Sequence, residues 1–298
     1  MNFTLWPACV KVHPFREQLR AAATAGFDRL PVGPLTWKAL QAEGFSAGDV
    51  RRMAGDEGVA LGHYDGFAMW APYDFSPYTP DAARAVFDVS QDDCLRICDS
   101  LGLPAICTTG LFDAHHAELA QLVDAFGAFC ERAAAHGIQV DLEFIPFWGV
   151  PDLAAAWSIV RDAGCGNAAV MVDSWHFCRG NPDFDLLEAM PAGSIRTVQL
   201  ADAAFALEGD DLFEDCLRFR RCPGEGDLPL ARFVEVLVRK GGITDVGPEV
   251  FADSLDRLAA TSAAELVAAG CRRLLAPYSR MTDSASSQAG ELADIHNA

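Results

Sequence analysis

Apolar positions along the chain fall into two alternating patterns. Short runs rich in β-branched residues occupy 3–10, 27–32, 59–67, 104–111, 138–145, 168–175, 195–202 and 243–251, and such runs predict buried strands. Between them, at 14–26, 81–102, 115–137, 152–164 and 230–242, apolar residues recur every third or fourth position, the spacing of an amphipathic helix. Gly26, Gly58, Gly102, Gly137, Gly164 and Gly242 each stand just before the next run, where a glycine ends a helix in the left-handed conformation. Short alternating βα units force parallel pairing, and eight of them close on themselves. The predicted fold class is therefore α/β, a (β/α)8 TIM barrel. An open doubly wound sheet is the alternative, but no GxGxxG follows the first run, which removes its usual dinucleotide-binding form. Residues 1–278 are expected to form one barrel domain, and the Ser-, Ala- and Asp-rich stretch 279–298 a flexible tail.

Composition narrows the partners. The 298 residues are 51% hydrophobic and 22% charged, as in a soluble globular protein. With 42 acidic against 23 basic residues the net charge is −19, which argues against nucleic acid, whose binders neutralise phosphates with Lys and Arg. No stretch approaches the roughly 20 apolar residues of a membrane helix, so no membrane partner is expected. The opening MNFTLWPACVKV lacks the basic and long apolar regions of a signal peptide, and the expected location is cytoplasmic. Ten scattered cysteines without a CxxC pair fit packing residues in a reducing compartment. Cys94 and Cys98 share a helix face, but no structural zinc site is expected.

In such a barrel the chemistry sits at the C-terminal ends of the strands. There, Glu143, Asp173, Gln199 and Glu249 interrupt four consecutive apolar runs at one depth. Each acid alone is equally explained by a helix cap or an arginine partner. Together, three buried carboxylates and an amide oxygen are most economically placed around a divalent cation. That hard, oxygen-rich set suits Mn²⁺ or Mg²⁺, with Co²⁺ as an alternative.

The segments VDLEFIP, VMVDSWHFCRG, IRTVQLADA, RFRRCPGEGDLPL and GPEVFAD resemble the xylose isomerase-like TIM barrels, a family of sugar phosphate isomerases and epimerases. The RxxPGxGD element, Arg220 to Asp227, is its most specific feature; the first half of the chain is compatible but generic. The resemblance implies a single divalent metal held by Glu143, Asp173, Gln199 and Glu249, with Gln199 where most epimerases of the family carry His. The VQLADA form of this strand is similar to the branch that dehydrates 3-dehydroshikimate. His176 matches the family's substrate-contacting His and Arg220 its anion- or hydroxyl-contacting Arg.

These parts imply a metal-dependent isomerase or epimerase of a polyol, keto-sugar or cyclitol-like small molecule. A proton α to a carbonyl leaves and the cation stabilises the enediolate, with Glu143 or Glu249 as the base and the other returning the proton. His176 protonating a departing β-hydroxyl gives the alternative, a dehydratase. A non-catalytic sugar-binding barrel is a third reading, and the family also accommodates homo-oligomers. Trp6, His63, Tyr64, Asp65 and Trp70, with Trp148 and Trp175, fall at or past strand ends and are expected to line the mouth as an aromatic, water-excluding rim. The stretch HYDGFAMWAPYD has no Arg, where the dehydratase branch carries one, so a carboxylate-bearing substrate is not favoured. His115 and His116 are expected to be solvated at a helix start.

Overall fold

A computed structural model describes residues 1–77, 79–114 and 117–278. His115, His116 and the tail from Ser279, each with its own expectation above, lie outside them. Eight parallel strands follow one another around the barrel: β1 (Asn2–Phe3), β2 (Arg29–Val32), β3 (Ala60–Phe67), β4 (Ala105–Thr108), β5 (Gln139–Glu143), β6 (Ala168–Asp173), β7 (Ile195–Leu200) and β8 (Asp245–Pro248). From β2 to β8 each pairs with its neighbour in chain order, and β8 pairs with β1. Only the β1–β2 seam lacks a full ladder; a Thr4–Arg29 bridge and the bonds from Leu5 N to Arg29 O and Asp28 N to Phe3 O span it. The barrel is thus nearly closed. Gly247 is required on β8, because a Cβ there would lie 1.7 Å from the Thr4 carbonyl oxygen.

Twelve helices among the described residues surround the strands: α1 (Phe15–Ala25), α2 (Pro34–Ala42), α3 (Ala47–Asp56), α4 (Asp81–Phe87), α5 (Gln91–Leu101), α6 (Leu119–Ala134), α7 (Leu153–Ala163), α8 (Ser174–Arg179), α9 (Phe184–Ala189), α10 (Leu212–Arg218), α11 (Leu230–Lys240) and α12 (Ala260–Leu275). Their apolar faces and the outward side chains of the strands form one contiguous core, as when Phe67 of β3 stacks on Phe129 of α6 at 4.8 Å. The six glycines read as helix stops all have positive φ, between 63° and 86°. All ten cysteines are free, eight of them buried.

Three elements differ from the pattern reading, each for a local reason. The first run predicts a strand over 3–10, yet the strand stops at Phe3 and Pro7–Val10 forms a 3₁₀ turn. Pro7 has no N–H for a ladder and its fixed φ starts that turn. The helix expected over 81–102 is two helices, because the Ser90 side chain accepts from Asp93 N and caps α5 afresh. The sixth strand ends at Asp173, two residues early, since its carboxylate accepts from His176 N and caps α8.

Candidate active site

The strand ends deliver the four expected side chains. Glu143 closes β5, Asp173 closes β6 directly opposite Gln199 of β7, and Glu249 follows β8. They are 6%, 0%, 0% and 7% exposed, a depth at which unpaired carboxylates are costly. Asp173 Oδ1 caps α8 at 2.8 Å, and that short helix places His176 beside Glu143, Nε2 to Oε1 3.6 Å.

Arg220 is the cation of this ring, and its side chain is wholly buried. Its Nη1 donates to Asp173 Oδ2 at 3.0 Å and the Glu249 carbonyl at 3.1 Å, and lies 3.5 Å from Glu249 Oε2. Its Nε and Nη2 reach the Cys216 carbonyl and sulfur. The RxxPGxGD element explains how it is held. Asp202 accepts from the backbone N–H groups of Ala203, Gly224 and Leu228, and Asp227 accepts from Phe205 N. Gly226 lets the two loops touch, for a Cβ there would lie 2.3 Å from the Ala203 carbonyl oxygen. The motif is a backbone clamp that presents Arg220 to the carboxylates.

Electrostatics follow from burial and crowding. Burial first, then Asp173 and Asp65, push Glu143 up to about 8. Burial and Glu143 hold Glu249 well above the usual carboxylate range, and burial raises Asp173 against the pull of Arg220. Burial and then Arg220 push His176 well below its usual value, so the ring is neutral. Arg220 Nη2, a donor only, lies 3.4 Å from His176 Nε2, so that nitrogen accepts and the proton sits on Nδ1, which has no partner.

These charges set a pH dependence. Without a cation, Glu143 and Glu249 hold protons in the fold that they release on unfolding, so their contribution fades as pH rises from about 4.5 towards about 8. His176 acts oppositely: the unfolded chain takes up a proton below about 6.5, and stability falls as pH drops through that value. Between pH 6.5 and 8 the raised carboxylates set the trend. Thermal melts of chelator-treated protein are expected to show a midpoint that falls across this interval, and a rising midpoint would contradict the assignment.

The donor set fits a divalent cation. When ionised, three carboxylates against one guanidinium would leave two excess negative charges, and the fully buried Gln199 side chain has no partner on either amide atom. Carboxylate and amide oxygens are hard ligands. Among the described residues no group of three or more His, Cys, Asp or Glu side chains converges closely enough to hold a metal ion.

Other expected pocket residues lie at different depths. His63 sits one layer below the carboxylates, its Nε2 3.2 Å from both Asp141 Oδ2 and Thr197 Oγ1. Arg196 and His63 hold Asp141 below the usual range despite its burial. Trp6 lies tilted beside His63 at 5.3 Å and clusters with Cys107 and Met171, forming the floor. Trp70 and Trp175 are not rim residues. Each is fully buried, with its indole N–H on Thr109 O and Asp215 Oδ2 respectively, and Trp175 backs the Arg220 guanidinium at 5.1 Å. Tyr64 faces the other side of β3, where a surface cavity of about 460 Å³ lies among α2, α3 and α5. Trp148 is partly exposed and joins Phe87, Phe147 and Phe213 in a chain of edge-on contacts, Phe147 reaching His176 at 6.5 Å. Those three phenylalanines, and Cys107, whose thiol donates to Glu143 Oε2 at 3.4 Å, escape a sequence reading because each passes for packing.

A parallel βα barrel carries its chemistry at the C-terminal strand ends, where this ring of carboxylates lies. The chain belongs to the xylose isomerase-like TIM barrel family, whose model matches residues 19–275. It is 30% identical over 244 residues to a 3-dehydroshikimate dehydratase of Pseudomonas aeruginosa and 27% identical over 246 residues to that of Pseudomonas putida. Each match covers 80% of this chain, but the chain spans only 36% of those relatives. Among solved structures, the zinc-bound IolI protein superposes with a TM-score of 0.79 at 18% identity, covering 93% of this chain and 99% of that one. A D-psicose 3-epimerase with D-fructose gives 0.64 at 16%, covering 92% and 99%. These two likenesses show the fold.

Proposed function

We propose that the protein is a divalent-cation-dependent isomerase or epimerase of small keto-sugar or cyclitol-like substrates, acting by transfer of a proton α to a carbonyl. The observation that carries this reading is the pair Glu143 and Glu249. They arise from well-separated strands, face one buried space, and both have raised proton affinity. Glutamates whose proton affinity is raised above the usual carboxylate range are suited to take and return protons. When bound, a divalent cation supplies stabilisation of the charge that develops on the substrate carbonyl oxygen, and Glu143, Asp173, Gln199 and Glu249 would hold it. Arg220 orients Asp173 and Glu249. Neutral His176, with Nδ1–H unpartnered, donates to a substrate oxygen. Residues 1–278 are taken as one barrel domain, and the free cysteines support a cytoplasmic setting.

A second reading, dehydration of a β-hydroxy ketone, is favoured by Gln199 in strand seven and by the two dehydratase relatives. There His176 would protonate the departing hydroxyl. Incubation with ketone substrates in D₂O separates the two. Deuterium at the α-carbon of a recovered isomer is the expected outcome, whereas an unsaturated product absorbing in the ultraviolet would establish the second reading instead.

A further inference from the structure

Asp65 is a fourth acid at the mouth that the mechanism above leaves unused. It follows His63 by two residues on β3, and the His63 ring enters the barrel to meet Asp141 and Thr197. The strand pleat therefore puts Asp65 on the same inner face, one step nearer the mouth. Its register partner is Cys107. The Cys107 thiol donates to Glu143 Oε2 at 3.4 Å and stands beside the Asp65 carboxylate, so Asp65 borders the same space as the reacting glutamates. Its charge is felt at Glu143 and Glu249, and burial pushes Asp65 itself up to about 6. Unlike Asp173 it keeps part of its surface open, and the unpartnered, fully buried Gln199 amide stands at the same level of the barrel.

The surrounding charges decide what such a group meets. Arg220 is committed to Asp173, Glu249 and Cys216. Arg84 of α4 is bonded to the Ser76 and Thr79 carbonyls, and Arg179 at the end of α8 to Asp215 and the Ala204 and Phe205 carbonyls. When all are ionised, four carboxylates outweigh one guanidinium and a divalent cation by one negative charge. A substrate carboxylate would meet Asp65 as a like charge, whereas a hydroxyl gives it a charge-assisted hydrogen bond.

We infer that Asp65 is a substrate-contacting, specificity-determining residue that accepts a hydroxyl of an uncharged polyhydroxy ketone and turns away carboxylate-bearing ketones. This rests on the α-proton-transfer reading above. The phenylalanines and Trp148 at the rim supply an apolar surface for the C–H face of such a substrate.

The test compares a panel of neutral ketohexoses, D-fructose included, with 3-dehydroshikimate, following α-proton exchange in D₂O by NMR on the Mn²⁺-loaded protein. Wild type is expected to exchange at least one ketohexose, with a KM at least tenfold below that for 3-dehydroshikimate. Asp65→Asn is expected to raise the ketohexose KM about tenfold with kcat within about threefold, and to narrow the gap to the carboxylate. Asp65→Ser, smaller and also neutral, is expected to narrow it in the same direction. A wild-type preference for 3-dehydroshikimate, or variants that leave the selectivity ratio unchanged, overturns the role of Asp65 alone. No exchange with any ketone, or exchange that survives Glu143→Gln together with Glu249→Gln, overturns the reading beneath it.

Discussion

Glu143→Gln is expected to lower kcat by about a thousandfold, within the roughly 10²–10⁴-fold that a positioned acid–base group supplies. The amide preserves shape and can still accept the Cys107 thiol, but it cannot take a proton. It also removes a charge that Asp173, Asp65 and Glu249 all oppose. The cation-free variant should accordingly melt higher than wild type at pH 8 while turning over far more slowly, a combination that misfolding does not produce. The partner variant refines the assignment. If one glutamate abstracts and the other returns, Glu143→Gln and Glu249→Gln both abolish conversion, yet the variant that keeps the abstracting group still washes the α-proton into D₂O. Loss of washout and conversion in one variant, with both retained in the other, would mean that one glutamate does both jobs.

Arg220→Leu is expected to cost about 3–5 kcal/mol of unfolding free energy, the range for breaking one side of a buried ion pair. The guanidinium is wholly buried, donates to Asp173, and lies between Trp175 and Phe251 at 5.1 Å from each ring. Its removal leaves two carboxylates without their counter-charge and vacates an apolar slot. Arg220→Lys keeps the charge but loses the fork that reaches Cys216 and Asp173 together, so an intermediate loss is expected. Severing the exposed Arg239–Glu188 pair at 3.1 Å should leave the midpoint in chemical denaturation unchanged. If Arg220→Leu behaves like that surface control, the clamp built by RxxPGxGD has some other purpose.

The barrel was legible because period and punctuation agree: apolar runs, helical spacing and glycine stops all mark the same boundaries. Glu143, Asp173, Gln199 and Glu249 stood out because a polar residue at the end of a buried run is costly without a partner. Depth was harder to read. A pleat tells which face a side chain takes but not which layer it reaches, so His63 read as a mouth residue although it is bonded a layer below. Trp70 and Trp175 showed the same limit, since an aromatic past a strand end turns inward whenever a carbonyl or carboxylate waits for its N–H. Arg220 read as a substrate contact because nothing in its own segment reveals that Asp173 lies within reach. Asp65 read only as pocket lining, for its neighbours in space come from β4, β5 and β8.

The eight buried sulfurs give this fold a way of reporting on itself. Burial pushes up the thiols of Cys9, Cys94, Cys107, Cys130 and Cys271, and the thiol form is a poor nucleophile. In the native state alkylating reagents therefore find chiefly Cys165, for Cys178 is partly exposed as well but burial pushes its thiol up to about 12. Each other sulfur stays silent until its own element opens: Cys94 for α5, Cys130 for α6, Cys271 for α12. Cys107 alone looks into the carboxylate ring, so its labelling rate measures how often the mouth admits solvent. The order in which the cysteines become labelled is a map of the order in which the barrel comes apart.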